Sequence, residues 1–362
     1  MFFSKIMKCV IAAGAVAAAV PSLAVAETTN FKGKVVQVIV GDTAGSSYVN
    51  YAQLVQRNLP KQLEGNPEVT VRLMPGAGGI IAGNYLANVA PKDGTVIGAL
   101  YRGLGTEPLF KGSESRLKFD PRQMVWLYSL NSEVSMAVVW KTTGINKFDD
   151  LYSKELLVAI GGVAGDAGVF GSAMNGIMGT KLKMICCYQG SAGQDLAMER
   201  GEIGGRLNYS WAFLKASKPD WLKDGTVNLI AQLALTKHRD LPNVPLVLDL
   251  VKDPEDKKIM EIVLSRQNMG RPYAAPPGMS ADNSKMMRDA FERMVHDKDF
   301  LADADKGKIE INDPMPGVQI NALIDKMFAV SPATLQRLRA SQDPNNRKDV
   351  VVKEGSKDSG EQ

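Results

Sequence analysis

Two glycine-rich turns, residues 75–79 and 161–168, constrain this chain more than any other feature. Each stands where an apolar, strand-like run hands over to a helical pattern, and that alternation repeats along the chain, which points to an α/β architecture. Residues 34–40 read as a buried strand ending at Gly41. Ser46 and Ser47 then offer N-caps for a helix in which Tyr48, Ala52, Val55 and Leu59 share one face. Val69, Val71 and Leu73 alternate with Thr70 and Arg72, the pattern of a half-buried strand, and lead through the first glycine turn into a helix over residues 80–89. Further strands are expected at residues 95–100, 136–140, 156–160, 184–188 and 227–235. A helix over residues 280–295 is capped by Ser280 and turns Met286, Ala290 and Met294 inward.

A glycine turn at a strand-to-helix junction exposes backbone N–H groups beside the positive end of the helix dipole, a seat for a carboxylate or phosphate. A dinucleotide fingerprint does not fit either turn: the third glycine after Gly76 and Gly78 would stand at Ile81, and the first before Gly165 and Gly168 at Val163. No GxxxxGK[ST] phosphate loop occurs. The chain's 362 residues exceed what one core holds, so about two domains are expected.

The first 26 residues read as a secretory signal outside the fold: Lys5 and Lys8 precede a short apolar run, and Ala24-Val25-Ala26 supplies a cleavage site. This marks the mature chain, from Glu27, as exported, with no later stretch apolar enough to span a bilayer. With 43 Lys+Arg against 39 Asp+Glu and no basic patch interleaved with aromatics, nucleic acid is not the expected partner. Beyond Cys9 the cysteines are the adjacent Cys186 and Cys187, and a strained ring argues against a bridge between them; they read as apolar strand residues. His238 reads as a surface residue and His296 as a polar residue at a helix end. No metal or cofactor is expected. A secreted α/β enzyme is the alternative class, but no GxSxG elbow, no HExxH and no Cys with a His partner supports catalysis.

The stretch Met74-Pro75-Gly76-Ala77-Gly78-Gly79-Ile80-Ile81-Ala82-Gly83-Asn84, followed by Ala90-Pro91-Lys92-Asp93-Gly94-Thr95, resembles the signature of the tripartite tricarboxylate transporter substrate-binding proteins, the Bug-type periplasmic receptors. Tyr188-Gln189-Gly190 with Asp195-Leu196 and Gly201-Glu202-Ile203, then Leu241-Pro242-Asn243-Val244-Pro245, then Ala274-Ala275-Pro276-Pro277-Gly278, are similar to later family segments in the same order. The resemblance implies a class II periplasmic binding protein: two α/β lobes closing by hinge motion on a ligand cleft. It divides the chain into a signal peptide at 1–26, lobe one at 27–130 and 238–340, lobe two at 131–237, and a tail at 341–362 whose polar, charged composition predicts disorder. It also implies a monomer that captures a small organic acid and delivers it to membrane permease subunits.

The candidate ligand contacts come from loops at the carboxyl ends of strands, where open α/β sheets bind ligands. Gly45, Ser46, Ser47 and Tyr48 come from the first loop, and Gly76, Ala77, Gly78 and Gly79 from the second; their N–H groups would cradle an anionic end. Arg102, just past a strand, would supply a direct charge partner, while Gly165, Asp166 and Gly190 come from lobe two. Gly41 and Asp42 stand where the family has Pro-Phe, Ser46 where it has Gly, Val49 where it has Asp, and Asp166 where it has Ser. A carboxylate at 166 would repel a ligand carboxylate and accept from an amine or hydroxyl, which favours an amino or hydroxy acid; its alternative use is as a helix cap.

Overall fold

Strand and helix alternate through two sheets in the computed structural model, which describes residues 30–162, 165–188, 190–342 and 350–352. Four strands come first: β1 (Val35–Val40), β2 (Glu68–Leu73), β3 (Val96–Ala99) and β4 (Val125–Ser129). Five follow, β5 (Ser135–Trp140), β6 (Leu156–Ala159), β7 (Leu182–Cys186), β8 (Gly205–Ser210) and β9 (Val227–Leu233). Then come β10 (Pro272–Ala275), β11 (Met315–Pro316) and β12 (Val350–Val352). The first sheet runs β11-β4-β10-β3-β1-β2 and the second β12-β7-β6-β8-β5-β9.

The two sheets share one plan. In the first, β1 lies between β2 and β3, parallel to both, with Val38 opposite Val71 on one side and Ile97 on the other. In the second, β6 lies between β7 and β8 in the same parallel sense. A chain that builds outward first to one side of its opening strand and then to the other leaves a crevice at that strand's carboxyl end, the place where such sheets take ligands. Antiparallel strands complete each sheet: β10 against β3 and β4 in one, β5 against β8 and β9 in the other.

Helix α1 (Ser47–Asn58) follows β1, with the Ser46 hydroxyl as N-cap accepting from Val49 N–H. Its inner face buries Ala52, Leu54 and Val55 completely, each large apolar side chain contributing about 1.5–3 kcal/mol. Helix α2 (Ile80–Asn88) joins β2 to β3. The helix Ala281–Val295 is capped by the Ser280 hydroxyl and buries Ala290 and Met294, with Met287 buried in place of Met286. The loops after β1 and β2 touch backbone to backbone: a Cβ on Gly41 would lie 2.8 Å from Gly79 Cα.

Four expectations are corrected. Residues 238–265, assigned to lobe one, pack on the second sheet: Gln232 on β9 bridges to Leu246, and its amide donates to Leu241 O and Val244 O. The chain returns to the first sheet only at β10, because residues 247–250 and 254–265 form helices against β9 and the Asp166 helix. In the segment expected to be disordered, Val350–Val352 pairs in parallel with β7 and Gln342 is buried, donating to Val169 O. A three-valine run adds a strand to an open edge whatever the polarity around it. Cys186 and Cys187 are bridged, with a cis peptide between them. The opposite expectation assumed a continuing extended strand, in which neighbouring side chains point apart, but β7 ends at Cys186. His238 is buried rather than exposed: its Nδ1 accepts from Asp240 N–H, and its ring lies beside that of Trp211. His296 stands at the end of the Ala281–Val295 helix. The proposed signal segment lies outside the described residues, and among those described no helix is long and apolar enough to cross a membrane.

Candidate functional site

At the carboxyl ends of the central strands, where the two sheets come together, five charged side chains form a single buried group. Arg102 opens a short 3-10 turn three residues past β3. Asp166 is the first residue of the helix Asp166–Ala173 that follows β6. Arg266 closes the helix Pro254–Ser265, and Arg271 stands immediately before β10. Glu133 lies in the crossover between β4 and β5. Arg102, Arg266, Arg271 and Glu133 are 8%, 3%, 7% and 4% exposed, so each charge must find its partner inside the protein.

Arg102 engages Asp166 through both Nε, 2.6 Å from Oδ2, and Nη2. Arg266 takes the other Asp166 oxygen, Nη1 to Oδ1 at 3.0 Å, and its Nη2 donates to Thr106 Oγ1 at 3.3 Å. Glu133 Oε2 stands 3.2 Å from Arg271 Nη2 and 3.7 Å from Arg102 Nη1. Burial disfavours the ionised form of Asp166, but the positive charges of Arg102 and then Arg266 outweigh it and hold the carboxyl below its ordinary range. Burial likewise opposes charge on Arg102, and Asp166 reverses it, raising the guanidinium above its ordinary value.

Aromatic side chains wall this group. The Tyr48 ring meets that of Tyr101 edge-on at 4.5 Å, and its hydroxyl accepts from Arg102 N–H at 3.3 Å. The Arg271 guanidinium lies over both Tyr48 and Tyr51, 4.8 and 4.9 Å from the ring centres. Such stacking strengthens in a desolvated setting. Burial, then a hydrogen bond to Asp42, pushes the Tyr101 hydroxyl well up, so it stays protonated.

The structure brings only some of the sequence candidates together. Ser47 accepts from Arg271 Nη2 at 3.2 Å, Tyr48 and Arg102 stand as described, and Asp166 lies at the centre. Gly79 joins them through Tyr101: it adopts φ +83°, and a Cβ there would fall 2.3 Å from Tyr101 Cδ2. Its own N–H donates to Gly76 O, and Ser46 N–H donates to Thr43 O, so these two amides are engaged within their loops. Gly76, Ala77 and Gly78 all hold positive φ, and Gly45 does too. Gly165 is the residue before the Asp166 helix, and Gly190 begins the helix Gly190–Glu199. Asp195, in the similar Asp195-Leu196 segment, has a structural use: it is buried, taking Arg206 and the Tyr209 hydroxyl.

The reading of Asp166 as a free acceptor is corrected, because both its oxygens are engaged by guanidinium groups. It is not the helix cap either; Gly165 holds that place and Asp166 makes no capping bond. Sequence reasoning missed Arg266, Arg271 and Glu133. Arg271 directly before the apolar run of β10, and Glu133 among the uncharged residues 124–140, were the available signals: charges inside core-forming stretches call for partners.

No family model and no curated protein matches this chain. Solved structures do. A TctC solute binding protein from Polaromonas, without ligand, has a TM-score of 0.64 at 16% identity, over 86% of this chain and all of that one. The fold is that of the periplasmic solute-binding proteins. MatC from Rhodopseudomonas palustris with bound malate gives 0.61 at 15% identity, covering 86% of this chain and 99% of that one. The periplasmic binding protein BugD gives 0.61 at 16%, over 85% and 97%. The α/β fold implied by the glycine-turn signature is thus the one observed.

Proposed function

We propose that this chain is a periplasmic receptor that captures a small organic anion, a carboxylate, between its two sheets and hands it to membrane permease subunits. The observation that carries this reading is the buried group of three arginines against two carboxylates, seated at the crevice of two sheets built on one plan. A protein interior that collects a surplus of guanidinium groups is matched to an incoming negative charge, and arginine is the side chain suited to holding a carboxylate in a fork. Two structurally similar proteins carry malate and adipate, which agrees with an acid as cargo. A monomer suffices for this role, with the first sheet's unit and the second's as the two lobes that close on the ligand.

A panel of organic acids tested by thermal unfolding checks the reading, since a ligand that binds only the folded state raises its stability. At ligand a hundredfold above its Kd the gain is about 2.7 kcal/mol. A shift with at least one acid is expected. No shift with any acid, together with turnover of an ester or sugar substrate, would favour a secreted enzyme instead.

A further inference from the structure

We propose that Asp166 acts as a built-in counter-ion that fixes the ligand as a monoanion: it occupies the carboxylate seat between Arg102 and Arg266 and leaves charge for one acid group only. The inference rests on the receptor reading and narrows it.

The argument is one of charge and of remaining donors. Arg102, Arg266 and Arg271 bring three positive charges, and Asp166 and Glu133 two negative ones, all in one contact network. One positive charge is left over. Asp166 is held as a ligand carboxylate would be, with Arg102 on one oxygen and Arg266 on the other. Among the described residues, the donors of this group without a hydrogen-bond partner are Arg102 Nη1 and Arg271 Nε, on the two arginines that flank Glu133, and Arg266 Nε. These nitrogens are buried, and a buried donor left unpaired is costly, so they point to an acceptor the protein itself does not provide.

The remaining neighbours oppose a second negative charge. Asp42 borders the group through the Tyr101 hydroxyl, and its carboxylate accepts from Thr43 N–H rather than from an arginine. Glu310 approaches His238 Nε2 at 3.9 Å, and its backbone carbonyl takes the Tyr51 hydroxyl. One ligand carboxylate neutralises the group. A second would have to enter a group whose charge the first has already balanced, or displace Asp166 from its place, and either is disfavoured in a desolvated setting. The ligand class is therefore a monocarboxylate, with any second end uncharged.

Matched pairs of probes separate this from size and shape: succinate against its monoamide succinamate, and adipate against its monoamide, titrated into the full chain by calorimetry at pH 7.5. The expected result is that within a pair the monoamide binds about tenfold or more tightly than the diacid, the size of one unbalanced charge–hydrogen-bond contact. Asp166→Asn, which keeps the shape and removes the charge, should narrow or invert that ratio. A diacid binding as well as or better than its monoamide in the parent protein overturns the inference while leaving the receptor reading standing. Binding by neither member of either pair nor by any acid of the panel removes the receptor reading, and this one with it. The parent comparison decides the matter even where the variant does not fold.

Discussion

The carboxylate of Asp166, on an element of the second sheet, meets the guanidinium of Arg102, on an element of the first, at 2.6 Å from Nε to Oδ2. This contact ties the two halves of the molecule together at the place where a ligand is expected. It also means that the charge of the site is set jointly by both halves, so neither half alone presents the arginines in their observed balance.

Removing one partner of a buried pair leaves a charge without compensation, which costs roughly 3–5 kcal/mol. Asp166→Ala strands both Arg102 and Arg266 and should lie at the upper end; Arg102→Ala leaves Asp166 with Arg266 and should lie at or below the lower end. Urea midpoints of the two variants and of the double variant give the coupling. If both single variants change stability by less than about 0.5 kcal/mol, as exposed pairs do, the contact is not holding the halves together.

Because the folded-state value of Asp166 is depressed, its contribution to stability is complete above its ordinary 3.8 and is lost as pH falls through that lowered value. The tie between the sheets therefore persists through the mildly acidic range.

His238 gives a pH dependence in a different window. Burial is the largest cause lowering its folded value below the ordinary 6.5, with Asp240 opposing and Lys215 and Arg239 assisting. As pH falls below 6.5 the unfolded chain takes up the proton first, so stability is full above that point and declines as pH drops through the folded value. His238→Gln should flatten the profile between neutral and mildly acidic pH, measured by thermal unfolding. An unchanged slope in the variant would show that another group titrates there.

The second loop offers a pair of neighbouring glycines with opposite consequences. Both Gly78 and Gly79 hold positive φ, but a Cβ on Gly78 meets nothing within 4 Å, whereas one on Gly79 strikes the Tyr101 ring. Gly78→Ala should cost only the backbone strain, about 1–2 kcal/mol. Gly79→Ala adds a displaced Tyr101, hence a disturbed Tyr48 and Arg102, and should both destabilise more and weaken acid binding. Equal effects of the two substitutions on binding would place the anion elsewhere.

The architecture was legible because it rests on local signals. The strand of residues 34–40, the Ser46 cap, the alternation of Val69, Val71 and Leu73, and the glycine turns each declare themselves within a few residues. The very short strands and those interrupted by polar residues did not: β8 breaks its apolar run with Arg206 and Asn208, and β11 has only two residues. At the site, Arg102 and Asp166 were identifiable from position, yet their pairing was not. Partners 64 residues apart, on different sheets, are joined by tertiary packing that no periodicity encodes. Arg266 and Arg271 reach the same group from a third stretch of chain, which the sequence could mark as unusual but could not place.

The most direct test is the structure of the protein with the tightest-binding acid from the panel. The account predicts the acid's carboxylate between the two sheets, within hydrogen-bond distance of Arg102 Nη1 or Arg271 Nε, with Asp166 still held by Arg102 and Arg266. A carboxylate seated away from all three arginines, or one that has driven Asp166 out of its place, would contradict it.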